Sequence, residues 1–445
     1  MKTNQNSALL KRVQTAWNGM ANLREKRTRN KNYAYGNQWC DKVLDDNGRP
    51  IREYDKLKNA GREPISNNLI RQLVKSIVGR FRYNLSENPD NEKNHNIFSE
   101  NMLDELDCRA MEEFLISGCC FQKLEKIKEN QSYITRITNV NPNRIFLEYG
   151  EDARGWDCSM IGEIHDMDIA DILLRLANGN RRRALSIRIV LDSERVNMES
   201  NFPIETEDNK FRILEVWTRE SRECYECLNT KTGEWYLSKT AVKNKDTECK
   251  WTIEKVWRCH WMTQSGEVLC QYDSPFKHRS HPYSFKLYPL IDGEVHSLVE
   301  DVIDQQKHVN RLITMIDHIM GVSAKGVLFY PDNVLPDGYS WEKLRKAWSR
   351  PDSIIPYHPR FKEDKPQQIF STPSNMGAYE MINLQMKLFE KISGVSGAMQ
   401  GQSTDSKTGA RLYESQVENA NVSLCDIFDT FNAFRHQRNE KVLNI

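Results

Sequence analysis

Four short stretches hold residue types that could do chemistry. Cys224-Tyr-Glu-Cys227 has the two-residue spacing that opens a zinc site, with Cys259, His260 or Cys270 as completing ligands. The second half lacks the usual ligand spacing, and Cys224 and Cys227 fall in a segment that reads as strand, so no metal is expected. His278-Arg-Ser-His281 runs into Pro282 and reads as a turn rather than a ligand pair. Ser274-Pro-Phe-Lys277 and Lys407-Thr408-Gly409 match two fragments of an acyl-transfer signature. The Ser-Asp-Asn fragment is missing, and Lys407 lies in a glycine-rich stretch rather than a strand, so that chemistry is rejected. No Gly-x-x-x-x-Gly-Lys-Ser/Thr loop is present, which argues against a P-loop nucleotidase. The acidic residues are too scattered to pick out a nuclease cluster. Cys119 and Cys120 follow Gly118 at a helix end and are expected to be buried. No nucleophile stands beside a base; no catalytic residue and no cofactor are expected.

The elements around these stretches carry more information. The chain has 445 residues, 39% of them hydrophobic and 28% charged, which suits ordinary folded cores and two or three domains. The formal net charge is +1, so no global electrostatic sign names a partner. Eleven cysteines in a chain of this length form no secreted disulfide framework, and free thiols in a reducing compartment are expected. The segment MKTNQNSALLKR lacks the apolar core of a signal peptide, and no run approaches ~18 apolar residues, so no membrane segment is expected. Residues 1–31 hold eight Lys or Arg against one acid, Glu25, which reads as a solvated helix face or a contact with an acidic partner.

Residues 66–83 repeat apolar side chains at three-four spacing after Ser66 or Asn67, which predicts a capped helix. A second helix is predicted over about 93–118. From about 121 to 290 the pattern becomes alternating, as in Phe211–Trp217, and predicts an antiparallel meander with one helical interruption near 166–178. Five of the ten tryptophans lie in 217–261 and are expected to pack in the sheets. Residues 293–320 then form one long amphipathic helix, which Gly321 is placed to end. Lys325–Tyr330, 353–357 and 367–370 read as strands of a small α/β module, with Ser340 capping a short helix. Residues 375–392 and 410–442 are helical. Between them, 393–409 reads SGVSGAMQGQSTDSKTG, a glycine- and hydroxyl-rich connection of a length that is usually functional.

This order of parts resembles the portal proteins of tailed bacteriophages with a podovirus-like arrangement. The residues that carry the resemblance are Tyr35-Gly-Asn-Gln-Trp39, Asn67–Gly79, Asp152–Asp157, Asp304–Gly321 with Ala324–Leu328, Ile392–Gly401, and Thr408–Tyr413. The match covers most of 30–90 and 290–435. Across 170–285 it rests on class of structure alone.

The resemblance implies an α+β portal fold. Its parts are a wing body over 1–291, a first stem helix over 292–321, a clip over 322–373 and a second stem helix over 374–392. A tunnel loop follows over 393–409, then a tunnel helix over 410–445, with the crown expected to be short or missing. It implies a virion component at one capsid vertex, present in the host cytoplasm during assembly. That component is a homo-oligomeric ring, expected to be a dodecamer, through which double-stranded DNA passes non-specifically during packaging and ejection. The implied partners are the terminase large subunit, head-completion and tail adaptor proteins, and the major capsid protein. In the tunnel loop, Gly394, Gly397, Gly401 and Gly409 supply backbone freedom. Ser403 and Thr404 offer exchangeable hydrogen bonds, and Lys407 and Arg411 modest attraction to phosphate. Val302, Val309, Leu312, Ile316, Ile319, Ile382 and Phe389 are the expected stem-packing residues. Tyr330, Trp341, Trp348 and Tyr357 are the candidate partner contacts of the clip. The alternatives are a metal-dependent nuclease and a ring-forming capsid adaptor without long stem helices.

Overall fold

A computed structural model of the chain describes residues 2–87, 95–129, 132–152, 154–194, 202, 210–241, 247–323, 327–329, 338, 340–349, 367–369, 376–395 and 410–445. From the N-terminus come helices α1 (Lys2–Gly19) and α2 (Ala21–Ala34), strands β1 (Lys42–Leu44) and β2 (Pro50–Arg52), and helices α3 (Glu53–Asn59), α4 (Leu69–Glu87), α5 (His95–Glu100) and α6 (Leu103–Ser117). Strands β3 (Cys119–Glu129), β4 (Ser132–Asn139), β5 (Ile145–Glu148) and β6 (Met160–Met167) lead to helices α7 (Ile169–Leu176) and α8 (Arg181–Glu194). Strands β7 (Phe211–Asn229), β8 (Trp235–Ser238), β9 (Thr247–Thr263), β10 (Val268–Asp273) and β11 (Tyr283–Leu287) follow. The rest is α9 (Leu298–Ser323), β12 (Val327–Phe329), α10 (Trp341–Ser349), β13 (Gln367–Ile369), α11 (Met376–Ser393) and α12 (Ala410–Leu443).

By its contacts the chain divides into two compact units. The first comprises Met1–Asn37, Asn68–Ile303 and Glu390–Ile445; the second comprises Gln38–Asn67 and Asp304–Phe389. The first unit holds two antiparallel sheets, one in the order β10-β9-β7-β6-β5 with β8 beside β7, the other in the order β11-β3-β4. Successive residues of a strand point to opposite faces, and β7 buries both. Ile213 and Trp217 join Phe121, Phe285 and Trp261 in the core shared by the two sheets. Leu214 and Val216 face the other way, onto Val13, Ala16 and Trp17 of α1. At the end of α6, Gly118 adopts φ +70°, and a Cβ there would stand 2.7 Å from Tyr288 O and from Val295 Cγ1. Glycine alone fits that joint.

The second unit sets the hairpin β1–β2 and α3 beside residues 304–323 of α9. It also holds α10, α11 and the antiparallel pair β12–β13, in which Val327 lies opposite Ile369. Residues 38–67 precede the sheets in the chain, yet their contacts are with 304–389.

Several expectations change. The helix expected over 93–118 is two pieces, α5 and α6, broken where Met102 takes a left-handed φ of 47°. The interruption in the sheet is two helices, α7 and α8. Trp217, Trp257 and Trp261 are buried, but Trp235 and Trp251 are exposed on the strip that β7, β8 and β9 form far from the core. The basic N-terminal segment turns inward at four positions. Arg12 binds Glu148, Lys26 binds Glu300, Arg27 binds Glu113, and Arg24 stacks on Trp17 with 3.6 Å to the ring centre. The long helix begins at Leu298, because Ile291 and Glu294 exchange backbone hydrogen bonds in a bridge just before it. It also runs through Gly321 to Ser323, since one glycine weakens a helix without breaking it.

Candidate functional site

The long helices expected to form a wall are the place to look for function, and each is held by a distinct chemistry. In α9 the Ser297 hydroxyl accepts a hydrogen bond from the Glu300 amide at 3.2 Å, which caps the first turn. Val302, Val309 and Ile316 are buried, while Leu312 and Ile319 are half-buried. Twenty-six residues at 1.5 Å each make the helix about 39 Å long.

The other anchor of α9 is polar. Gln306, Asn310 and Thr314 recur every four residues, so they lie on one face, and all three are almost wholly buried. In the second unit they bind the segment 38–67. Gln306 Nε2 donates to Asn67 O at 2.6 Å, and Asn310 Nδ2 donates to Gln38 Oε1 at 2.7 Å. Asn310 Oδ1 accepts from the Asn67 amide at 3.0 Å, and Thr314 Oγ1 accepts from the Ile65 amide at 3.0 Å. Lys307 pairs with Asp41 at 2.5 Å and Arg311 with Glu53 at 2.7 Å. Trp39, buried, closes the segment by donating to Ser66 Oγ at 2.9 Å. Sequence reasoning placed Gln306 within a resembling stretch and missed the ladder. Its signal was a polar residue every fourth position inside an apolar helix.

On α11, Phe389 is buried and Ile382 half-buried, but Tyr379, Met381, Leu384 and Met386 are exposed. Met315 and Met320 of α9 are exposed as well. In the region expected to be the clip, Ser340 caps α10 through a hydrogen bond from the Lys343 amide at 3.3 Å, Leu344 is buried and Trp341 is about half exposed. Trp348 lies in α10, though its side chain is outside the described residues, as are Tyr330 and Tyr357.

After α11, Gly394 takes φ +69°, and Val395 is fully buried. The Gly394 carbonyl accepts from Ser423 Oγ of α12 at 3.0 Å, and a Cβ on Gly394 would come within 2.7 Å of that hydroxyl. The connection therefore starts packed. Gly397, Gly401, Ser403, Thr404, Lys407 and Gly409 lie outside the described residues; Arg411 falls in the first turn of α12, with its side chain outside them too.

The last turns of α12 are fixed in the first unit by charge. Asp107 of α6, buried, accepts from Arg435 Nε at 3.0 Å and pairs with the fully buried Arg438, which also donates to Gln122 Oε1 at 3.1 Å. Phe431 meets Phe81 edge to face, with ring centres 5.1 Å apart. Lys441 donates to Tyr283 O at 2.5 Å and to His281 O at 3.2 Å. Burial pushes the Lys441 ammonium down to about 7, and burial likewise lowers His281 and His278, which also feel the charge of Lys441.

A second charged knot ties the two sheets together. Lys123 Nζ of β3 lies 2.5 Å from Glu215 of β7 and 3.6 Å from Glu163 of β6. Burial acts to lower Lys123, but the charges of Glu215, Glu163 and Glu125 win and raise it above its usual value. Burial acts to raise Glu215, and Lys123 and His165 hold it well below the carboxylate range. Glu163, His165 and Glu215 bring ligand atoms within 4.8 Å of one another, a spacing a metal could use. The Lys123 ammonium already answers their charge. Of the cysteines weighed for zinc, Cys224, Cys227 and Cys259 are buried on strands and Cys270 is half-buried; Cys227 Sγ lies 2.6 Å from Cys249 Sγ, and Cys119 and Cys120, also buried, open β3.

These features define an architectural α+β protein: long helices, buried polar anchors, and apolar faces left uncovered on the helices of the second unit. The family model of the phage P22-like portal protein matches residues 94–445, and the chain belongs to that family. Its function is that of a phage portal, a structural family whose members form an oligomeric ring associated with the virion capsid. A search of curated proteins finds no match. Among the described residues no helix is long and apolar enough to cross a membrane.

Proposed function

We propose that this portal is a dodecameric conduit for double-stranded DNA during packaging and ejection, standing at one capsid vertex against the major capsid protein. The observation that supports it is the apolar surface on the long helices of the second unit. Tyr379, Met381, Leu384, Met386, Met315 and Met320 are exposed there. In a heterologous ring each subunit offers two different faces, and a neighbouring copy would cover these side chains. On this reading 292–321 and 374–392 are the stem, with 1–291 as the wing body. The clip, 322–373, docks the terminase large subunit and later the head-completion and tail adaptor proteins, with Tyr330, Trp341, Trp348 and Tyr357 as contact candidates. The loop 393–409 faces the channel, where Ser403, Thr404, Lys407 and Arg411 meet passing phosphates weakly, and 410–445 continues as the tunnel helix.

The test is the native mass of the purified protein and of Met381→Lys with Leu384→Lys. A ring for the parent chain and smaller species for the charged variant are expected. A parent chain that remains monomeric at micromolar concentration, with no ring at the vertex of virions, sinks the proposal.

A further inference from the structure

The first unit carries a basic pocket that no part of the conduit reading uses. It is a cavity of about 800 Å³, lined by Arg12 of α1, Arg183 of α8, Thr218 and Glu220 of β7, and Arg258 and His260 of β9. Glu220 is the acid of this lining, and it is already engaged. His260 Nε2 lies 3.0 Å from Glu220 Oε1, Thr218 Oγ1 donates to the same oxygen at 3.2 Å, and Arg258 Nη1 lies 3.6 Å from Oε2. Arg12 is spent on Glu148 and on Ser159 Oγ at 3.0 Å. The Nε of Arg258 is buried without a hydrogen-bond partner, but it lies 3.7 Å from Asp273 Oδ1. Arg12 and Arg258 are thus answered by Glu148, Glu220 and Asp273, and among the described residues Arg183 is the lining arginine left without an acidic partner.

Arg183 does not stand alone. Arg181, Arg182 and Arg183 form the first turn of the 14-residue helix α8. Cations at a helix N-terminus oppose its dipole, so the fold gains nothing from them. Among the described residues none of the three has an acidic partner, whereas Arg188, farther along α8, lies 4.0 Å from Asp192. Asn180 Oδ1 takes up the Arg182 amide at 3.0 Å and the Arg183 amide at 3.3 Å, so the helix end is capped without any ligand. Consecutive residues on a helix point about 100° apart. The three side chains thus leave the start of the helix in different directions, and Arg183 is the one that lines the pocket.

Spread guanidinium groups fit a ligand with repeated, separated negative charges. Guanidinium matches phosphate oxygens in two-pronged hydrogen bonds. We infer that the Arg181–Arg183 turn and the pocket behind it are a docking site on the outside of the protein for the phosphodiester backbone of duplex DNA. It is separate from any contact made inside a channel.

Covalently closed circular duplex DNA tests this, because it has no end to thread a ring. Retention of the closed circle by the full-length assembly is measured from about 50 to 200 mM salt. The parent is compared with the triple variant Arg181→Ala, Arg182→Ala, Arg183→Ala and with Arg188→Ala. The triple variant removes no described ion pair and keeps good helix formers, and native mass checks its assembly. The expected result is a loss of at least ~10-fold in affinity and a fall of about 2–3 in the salt slope for the triple variant, with Arg188→Ala unchanged. Parent-like affinity and slope in the triple variant overturn the inference. So does displacement of the circle by inorganic phosphate at matched ionic strength, which makes this a free-phosphate site. Equal competition by polyglutamate reassigns it to an acidic protein surface and also overturns it. Failure to form rings, by contrast, would strike the conduit reading and leave this one standing.

Discussion

Helices α9 and α12 are both long, 26 and 34 residues, and they are held by opposite means. The anchored face of α9 uses neutral amides and a hydroxyl: Gln306, Asn310 and Thr314 each satisfy a backbone or amide group of the segment 38–67. The end of α12 uses ionisable groups: Arg435 and Arg438 paired with Asp107, and Lys441, whose charge burial disfavours, on two carbonyls. A neutral hydrogen bond contributes about 1 kcal/mol net, and its rungs can be lost one at a time. A buried ion pair contributes little net, yet removing one partner strands a charge and costs several kcal/mol. The first arrangement degrades gradually and the second fails all at once.

That contrast is open to attack. The largest effect is expected from Asp107→Ala, which strands Arg438 in the core. Urea unfolding should show a loss of about 3–5 kcal/mol, with hydrogen exchange rising along 424–443. A loss below ~1 kcal/mol would remove the charged anchor from the comparison. Next, Asn310→Ala removes the partner of the Asn67 amide and of Gln38 Oε1, and about 1–3 kcal/mol should be lost.

Lys441 sharpens the comparison through pH. Its folded value, about 7, lies below the ordinary 10.5, so between these limits the unfolded chain binds more protons and stability rises with pH. Below about 7 the ammonium is charged in both states and its burial cost is fully felt. From pH 7 to 8.5 the parent should gain about 1–2 kcal/mol that Lys441→Met does not show. Higher pH brings in an opposing trend, because burial pushes the Cys119 and Cys158 thiols up to about 12 from 9.0. The smallest effect is Thr314→Val, which orphans the Ile65 amide. It should cost about 1 kcal/mol by thermal unfolding, with no dependence on pH.

How much of this was legible depends on the range of the interaction. The apolar stripe of α9 repeats within the helix, so Val302, Val309 and Ile316 could be read directly. The alternation of 211–217 likewise announced a strand. Asp107 and Arg438 are 331 positions apart, and nothing in either neighbourhood says that one is the other's counter-ion. The ladder of Gln306, Asn310 and Thr314 was missed because its partners precede it by some 240 residues. The basic N-terminal segment misled for the same reason: the acids that receive Arg12, Lys26 and Arg27 are distant in the chain. The portal family was legible from the order of elements, a coarse property that survives when single contacts cannot be read. The tunnel loop lies mostly outside the described residues, and its assignment rests on sequence.

The rungs at Gln306, Asn310 and Thr314 have one more consequence. Dissolved ions screen exposed charges over about 10 Å at 0.1 M and less at higher concentrations. Dipoles in direct, water-free contact feel almost none of that. The pairs at Lys307 and Arg311 should therefore fade as brine thickens, while the amide rungs between them keep their grip. The joint between α9 and the segment 38–67 thus has an ion-sensitive rim and an amide core indifferent to the ionic weather around it.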